Sequence, residues 1–309
     1  MIKLVLRLIR NLLLIRFLFL ILISFGIILS SCNKFEGDIT VPAYLQIDTV
    51  FFVTDNSTQG ENSHEIVDLW IYVDDQQMGV FELPAKFPLL YEGKHKVEIR
   101  PGIKVNGISS TRAPYPMYKP IVFENFEFYP DSVQKLNNLT FTYYNNVSFP
   151  WIENFENGNL TMEETQNSDT SLVITSPINN PEAFLSANSK YSGQINLTKD
   201  RSYYNGWSFY AYELPGLESP VLLELDFKTD TYVTVGLLVH YLGGYEAKPL
   251  VVLNHSDEWN HIYINLTPTV SQYSNAIDFK ILFEANIESD SELANIYLDN
   301  IKLIYRDNN

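Results

Sequence analysis

The chain of 309 residues predicts an all-β protein built as a small β-sandwich followed by a larger one. Three observations predict it. Beyond residue 40 no long stretch carries the 3.6-residue periodicity of an amphipathic helix. In its place, short segments alternate apolar and polar side chains and are separated by Gly, Pro, Asn, Asp and Ser. Third, the composition is 46% hydrophobic and 14% aromatic, with 20 Tyr and 19 Phe, so large cores can be buried and the acidity of the chain does not signal disorder. A length of this order accommodates about two domains.

The first element is not part of either sandwich. Residues 1–31 contain Lys3, Arg7, Arg10 and Arg16, no acidic residue, and the apolar run "FLFLILISFGIIL" from Phe17 to Leu29. A basic start, a short apolar stretch and small residues at its end predict a secretory signal peptide. The run is shorter than the ~20 apolar residues that a membrane-spanning helix needs, although an uncleaved anchor helix is the alternative. The last four residues, Leu29-Ser30-Ser31-Cys32, resemble the bacterial lipobox, which implies that Cys32 is acylated and becomes the mature N-terminus. Several acyl chains, each CH₂ worth ~0.8 kcal/mol when buried in lipid, would hold the protein on a membrane. Asn33 follows the cysteine where inner-membrane retention would call for Asp, so the resemblance implies a lipid-anchored outer-membrane protein. Residues 32–40 are then a tether that keeps the first domain near the lipid. Cys32 is the single cysteine, which excludes a disulfide framework and a cysteine-ligated metal.

Formal net charge is −16, and the basic leader makes the remainder more acidic still. Such a surface repels phosphates and lacks the basic stripe of a nucleic-acid binder.

The first sandwich is placed at residues 41–147. "YLQIDTVFFV" (Tyr44 to Val53) alternates as a half-buried strand does, "TDNSTQGENS" is turn-like, and "IVDLWIYVD" (Ile66 to Asp74) is the next strand. Val73-Asp74, Gly79, Pro84, Pro88 and Gly93-Lys94-His95-Lys96-Val97-Glu98-Ile99 together resemble the pattern of PEGA-type small β-sandwiches. Gly93 supplies a turn, and Val97 and Ile99 are expected to face the core. "IVFENFEFYP" and "LNNLTFTYYNNVSF" close this domain.

The second sandwich is placed at residues 148–309. It opens with "FPWIENFENG" and closes with "ANIYLDNIKLIY", with "PVLLELDFKTDTYVTVGLLVHYL" and "EWNHIYINLT" between. This order is similar to the jelly-roll of galactose-binding-like and carbohydrate-binding modules. In such jelly-rolls the acidic residue of the opening motif and the aspartate of the closing one often share a structural calcium, here Glu156 and Asp299. Oxygen-rich coordination suits that ion. The alternative is a solvated turn residue at Glu156 and a turn-former at Asp299.

The five histidines, His64, His95, His240, His255 and His261, show no i, i+4 or H-x-H grouping, and neither a zinc site nor a catalytic cluster is expected. No G-x-S-x-G, H-E-x-x-H or P-loop occurs, so a non-enzyme is expected. The remaining candidates are aromatic. Tyr203, Tyr204 and Trp207 lie in "RSYYNGWSFYAYE", and Tyr241 and Tyr245 flank the paired glycines of "YLGGYE", read as a loop; these five are the candidate ligand or partner contacts. Trp259, at the start of a strand, is expected in the core. Two short triplets, Asp48-Thr49-Val50 and Asp131-Ser132-Val133, resemble the O-glycosylation motif of Bacteroidetes-type periplasms. The function expected first is a non-catalytic binding or accessory subunit of an envelope assembly, with a protein or glycan partner. A carbohydrate-binding surface lipoprotein stands second and a glycan hydrolase third.

Overall fold

The computed structural model describes residues 41–216 and 219–306. The leader, Cys32 and the tether therefore lie outside the described residues.

The first ten strands are β1 (Ala43–Ile47), β2 (Val50–Phe52), β3 (Asp68–Val73), β4 (Gln76–Glu82), β5 (Ala85–Leu89), β6 (Gly93–Lys104), β7 (Arg112–Pro114), β8 (Ile121–Phe128), β9 (Val133–Lys135) and β10 (Leu139–Phe141). Strands β4, β3, β6 and β7 form one sheet, with β8 also on β6, while β5-β1-β9 and β10-β2 form two smaller ones. The alternation read from the sequence sets the core. In β1, Ala43, Leu45 and Ile47 are fully buried, and so are Val97 and Ile99 in β6. Asp74 and Asp75 both take positive φ, 48° and 64°, which makes the β3–β4 connection a two-residue hairpin of the hand that matches strand twist. "NSTQ" forms a single helical turn, α1 (Asn56–Gln59), capped by the Asp55 carboxylate, which accepts from Ser57 N at 3.1 Å.

The other eleven strands are β11 (Val147–Glu153), β12 (Met162–Glu164), β13 (Leu172–Thr175), β14 (Ser192–Thr198), β15 (Tyr203–Ser208), β16 (Val221–Thr229), β17 (Val233–Tyr241), β18 (Gly244–Leu253), β19 (Ser256–Asn265), β20 (Asp278–Asn286) and β21 (Leu293–Arg306). They build a β-sandwich of two sheets. One runs β13-β14-β21-β16-β19, with β11 added on β21; the other runs β12-β15-β20-β17-β18. Apart from the β13–β14 and β17–β18 hairpins, successive strands cross from one sheet to the other, which is the jelly-roll arrangement. A short helix, α2 (Thr267–Gln272), follows β19.

The first of these sheets is covered on both faces. In β16, Val221, Leu223 and Leu225 enter the jelly-roll core, and Leu222 on the opposite face joins the core of the first sandwich together with Tyr263 and Ile304. The chain from Pro42 onward is accordingly one compact unit.

Next to that shared apolar contact lies a buried polar layer. Glu224 accepts from Tyr115 Oη at 2.5 Å and from Tyr143 Oη at 2.6 Å. Lys302 Nζ donates to the carbonyl of Glu61 at 2.5 Å and stands 3.8 Å from Glu224. Tyr263 Oη accepts from Glu65 N at 3.0 Å. Burial drives the Lys302 ammonium below its ordinary pKa and lifts the phenols of Tyr115, Tyr118, Tyr143 and Tyr263 well above theirs. Glu224, Asp226, Tyr263 and Lys302 all come from outward positions of β16, β19 and β21, so strand alternation delivers this layer.

Candidate functional site

The outer face of the β12-β15-β20-β17-β18 sheet carries most of the aromatic candidates. Along β15 the side chains alternate: Tyr204, Gly206 and Ser208 are buried, while Tyr203, Asn205 and Trp207 are partly exposed. Antiparallel register then sets the neighbours. Trp207 sits between Glu163 and Leu282, and Asn205 is opposite Glu284. Gly236 and Leu238 of β17 pair with Leu282 and Lys280. Gly236 lies at a bulge, where a Cβ would come within 2.3 Å of the Lys248 carbonyl oxygen.

These side chains are held in place. Trp207 Nε1 donates to Glu163 Oε1 at 2.8 Å, Lys280 Nζ reaches the same oxygen at 2.8 Å, and the ammonium lies 5.3 Å from the indole centroid. The hydrogen bond from Lys280 holds the Glu163 carboxyl below its usual range, against some desolvation. Tyr203 donates to Glu284 Oε1 at 2.9 Å, and burial plus that carboxylate push its phenol up to about 12.

At the far edge, "YLGGYE" is the tip of the β17–β18 hairpin, and both tyrosines lie in strands. The register pairs Tyr241 with Gly244 and His240 with Tyr245. Because side chains alternate along a strand, the two rings fall on opposite faces. Tyr241 turns inward, packs against the jelly-roll core and donates to Glu246 Oε2 at 3.0 Å. Tyr245 turns outward, 62% exposed. It stacks on His240 at 4.3 Å between centroids with 10° between planes, and His240 in turn contacts Asp278 at 3.1 Å. One ring face of Tyr245 is thus fixed against the imidazole.

The structure brings Tyr203, Trp207 and Tyr245 to one sheet face and leaves Tyr204 and Tyr241 off it. Tyr204 is completely buried and cannot touch a ligand. The sequence reading missed Asn205, Glu163, His240, Lys280 and Glu284. The i, i+2 spacing of Tyr203, Asn205 and Trp207 was a usable signal for the first of these, but pairing between distant strands had none.

Glu156 and Asp299 do converge, through one short segment. Glu156 Oε1 accepts from Lys190 N at 2.5 Å and Tyr191 N at 2.8 Å; Asp299 Oδ2 accepts from Ser189 Oγ at 2.8 Å. Asp299 is fully buried. Burial raises its pKa far above the usual carboxylate range, and the nearby charges of Asp226 and Glu156 add to the effect. An all-oxygen donor set with excess negative charge fits a hard cation. Among the described residues, however, no group of three or more His, Cys, Asp or Glu is placed to hold a metal. Carbonyl and hydroxyl oxygens would have to complete any shell.

No protein-family model matches the chain, and no curated protein matches it. Among solved structures the chain is similar to the CBM22-2 xylan-binding domain of Paenibacillus barcinonensis Xyn10C, at 12% identity and a TM-score of 0.37, over 51% of this chain and 99% of that one. It is similar to the family 11 carbohydrate-binding module of Lic26A-Cel5E of Clostridium thermocellum at 10% identity and a TM-score of 0.33, over 50% and 92%. A third similarity, to the enzymatically active domain of bacteriophage CBA120 tailspike protein 4, has 13% identity and a TM-score of 0.34, and covers 47% of this chain and 19% of that one.

Proposed function

We propose that this protein is a lipid-anchored, non-catalytic glycan-binding protein of the outer membrane, and that it holds neutral glycan chains on the outer face of the β12-β15-β20-β17-β18 sheet. The observation that carries the reading is the exposed ring of Tyr245, stacked on His240, on a face shared with Tyr203, Trp207, Asn205 and Glu284. Sugar rings stack on flat aromatic faces while amides and carboxylates take their hydroxyls. A ring already fixed by its neighbour loses little entropy on binding. The strong negative charge of the chain disfavours anionic polysaccharides.

A subunit of an envelope assembly, the first expectation from sequence, would call for a continuous apolar patch. This face instead interleaves its aromatic rings with Glu163, Asn205, Asp278, Lys280 and Glu284, and that favours the glycan reading. Membrane anchoring through Cys32 rests on the leader alone. A structural calcium at Glu156 and Asp299 is part of the same proposal.

The test is affinity electrophoresis of the full chain through gels containing soluble neutral polysaccharides (xylan, mixed-linkage glucan, galactan, mannan). At least one should retard the protein, and Tyr245→Ala should abolish the retardation. No retardation by any of them, or an unaffected variant, sinks the glycan reading. For the anchor, Cys32→Ala should accumulate a precursor that retains residues 1–31; a wild-type protein found by mass spectrometry with those residues still attached would refute lipidation.

A further inference from the structure

A second concavity lies on the opposite side of the jelly-roll, where the first sandwich meets the β19 edge. It measures about 430 Å³ and is lined by residues from both sandwiches. That volume falls within the ~300–1,000 Å³ of small-molecule sites. Phe51, Phe52 and the Asn62–Glu65 segment form one wall, and this part of the chain is docked by Lys302 Nζ donating to the Glu61 carbonyl and Glu65 N donating to Tyr263 Oη.

The aromatic walls are Trp259, Phe184 and Phe51. Trp259 is not in a core, contrary to the expectation from its place in the strand. It is partly exposed, its Nε1 donates to the carbonyl of Glu182 at 2.9 Å, and it meets Phe184 edge to face at 5.1 Å. Phe51 is 49% exposed. Its neighbour in sequence, Phe52, is buried, as alternation requires.

Polar groups line the rest. Asp226 and His261 are almost wholly shielded and bonded to each other, Oδ1 to Nδ1, at 2.7 Å. The second carboxylate oxygen of Asp226 accepts from Asn300 Nδ2 at 2.8 Å. Both oxygens of Asp226 are therefore already engaged by protein groups. His64 lies alongside, with its pKa lowered to about 4 by burial and then by His261, so its imidazole is neutral at physiological pH. Asn62, Ser63 and Asn260 add an amide, a hydroxyl and an amide.

The lining disfavours anions and purely apolar ligands. It holds no Lys or Arg, so phosphates and carboxylates would meet Asp226 and Glu65 unpaired. No metal-holding group of His, Cys, Asp or Glu is found among the described residues. A purely apolar ligand would strand the amides and His64 without water. Aromatic walls together with amides, a hydroxyl and a neutral imidazole suit a small, uncharged ring with an apolar face and hydroxyls around its edge.

We propose that this pocket is a second ligand site, distinct from the Tyr245 face, and that it takes one or two units of a neutral sugar, with Trp259 and Phe51 against the ring and His64, Asn62 and Ser63 at the hydroxyls. The site is incomplete without the first sandwich, which supplies Phe51 and residues 62–65. It does not depend on the Tyr245 reading. The two sites face opposite sides of the jelly-roll, so one molecule can bridge two glycan strands.

The experiment is calorimetric titration of the full chain with D-glucose, D-galactose, D-mannose, D-xylose and their β-1,4-linked disaccharides, with D-glucosamine as a charged control. At least one neutral sugar should bind saturably. In a Tyr245→Ala background, which disables the other face, that binding should persist, and adding Trp259→Ala or Phe51→Ala should weaken it tenfold or more. Phe51→Ala removes a half-exposed ring and guards against a Trp259 variant that fails to fold. Binding of none of the neutral sugars, binding of glucosamine alone, or binding lost in Tyr245→Ala and retained in Phe51→Ala would each overturn the proposal.

Discussion

Lys302 and Glu224 stand 3.8 Å apart, and neither side chain is exposed to solvent at all. One projects from β21 and the other from β16, into the layer between the two sandwiches. Desolvating both charges costs free energy that their attraction recovers only with further hydrogen bonds. Those bonds come from Tyr115, Tyr143 and the Glu61 carbonyl, all in the first sandwich. The pair therefore ties the jelly-roll to its neighbour.

Lys302→Ala would leave Glu224 buried without its cation and should cost about 3–5 kcal/mol. Glu224→Gln combined with Lys302→Met should recover a good part of that loss, because no net charge then remains buried. Chemical denaturation of the three proteins checks this. A loss below about 1 kcal/mol for Lys302→Ala would show that the layer adds little to the joint.

The two tyrosines of the β17–β18 hairpin should separate by experiment. Tyr241→Ala removes a partly buried ring and should lower stability by about 1–3 kcal/mol, less than the ~3–5 of a fully buried aromatic. Tyr245→Ala should stay within about 1 kcal/mol, the scale of one stacked pair. Equal losses from both would contradict their assignment to opposite faces.

His64 should make the fold sensitive to mild acid. Its pKa is about 4 in the folded chain, against an ordinary 6.5. Between those values the unfolded chain binds the extra proton, so stability falls as pH drops from about 6.5 to about 4. The shift corresponds to at most about 3–4 kcal/mol at 1.36 kcal/mol per pKa unit. His64→Gln should flatten that part of the stability profile relative to wild type; parallel curves for the two proteins would remove His64 as the cause.

If Glu156 and Asp299 share calcium, EDTA should lower the melting temperature and added Ca²⁺ should restore it. Saturation at a hundredfold excess over Kd is worth ~2.7 kcal/mol. Asp299→Ala should abolish the response. Melting curves that ignore both EDTA and Ca²⁺ would exclude the site.

Local pattern determined a good deal of this protein. Period-2 alternation announced the strands, and it named the buried side of several, as Leu45, Ile47, Val97 and Ile99 show. The "VDD" turn and Gly93 were legible because turn chemistry acts over a few residues. The resemblance at Glu156 and Asp299 located two carboxylates that both reach the Ser189–Tyr191 segment.

Only the tertiary structure decided which strands are neighbours. Loop against hairpin at "YLGGYE" was settled by pairing, and with it the separation of Tyr241 from Tyr245. The same holds for the second surface of the jelly-roll sheet. Leu222, Glu224 and Asp226 lie on the side of β16 that faces away from the jelly-roll core, yet they are buried because another sandwich covers them. Trp259 moved the other way, out of an expected core and into a pocket wall. For the covered face of the sheet the physical reason is distance along the chain. Alternation fixes on which side of a strand a residue lies, whereas what covers that side is supplied by residues more than a hundred positions away, as with Tyr115 and Glu224 or Ser63 and His261.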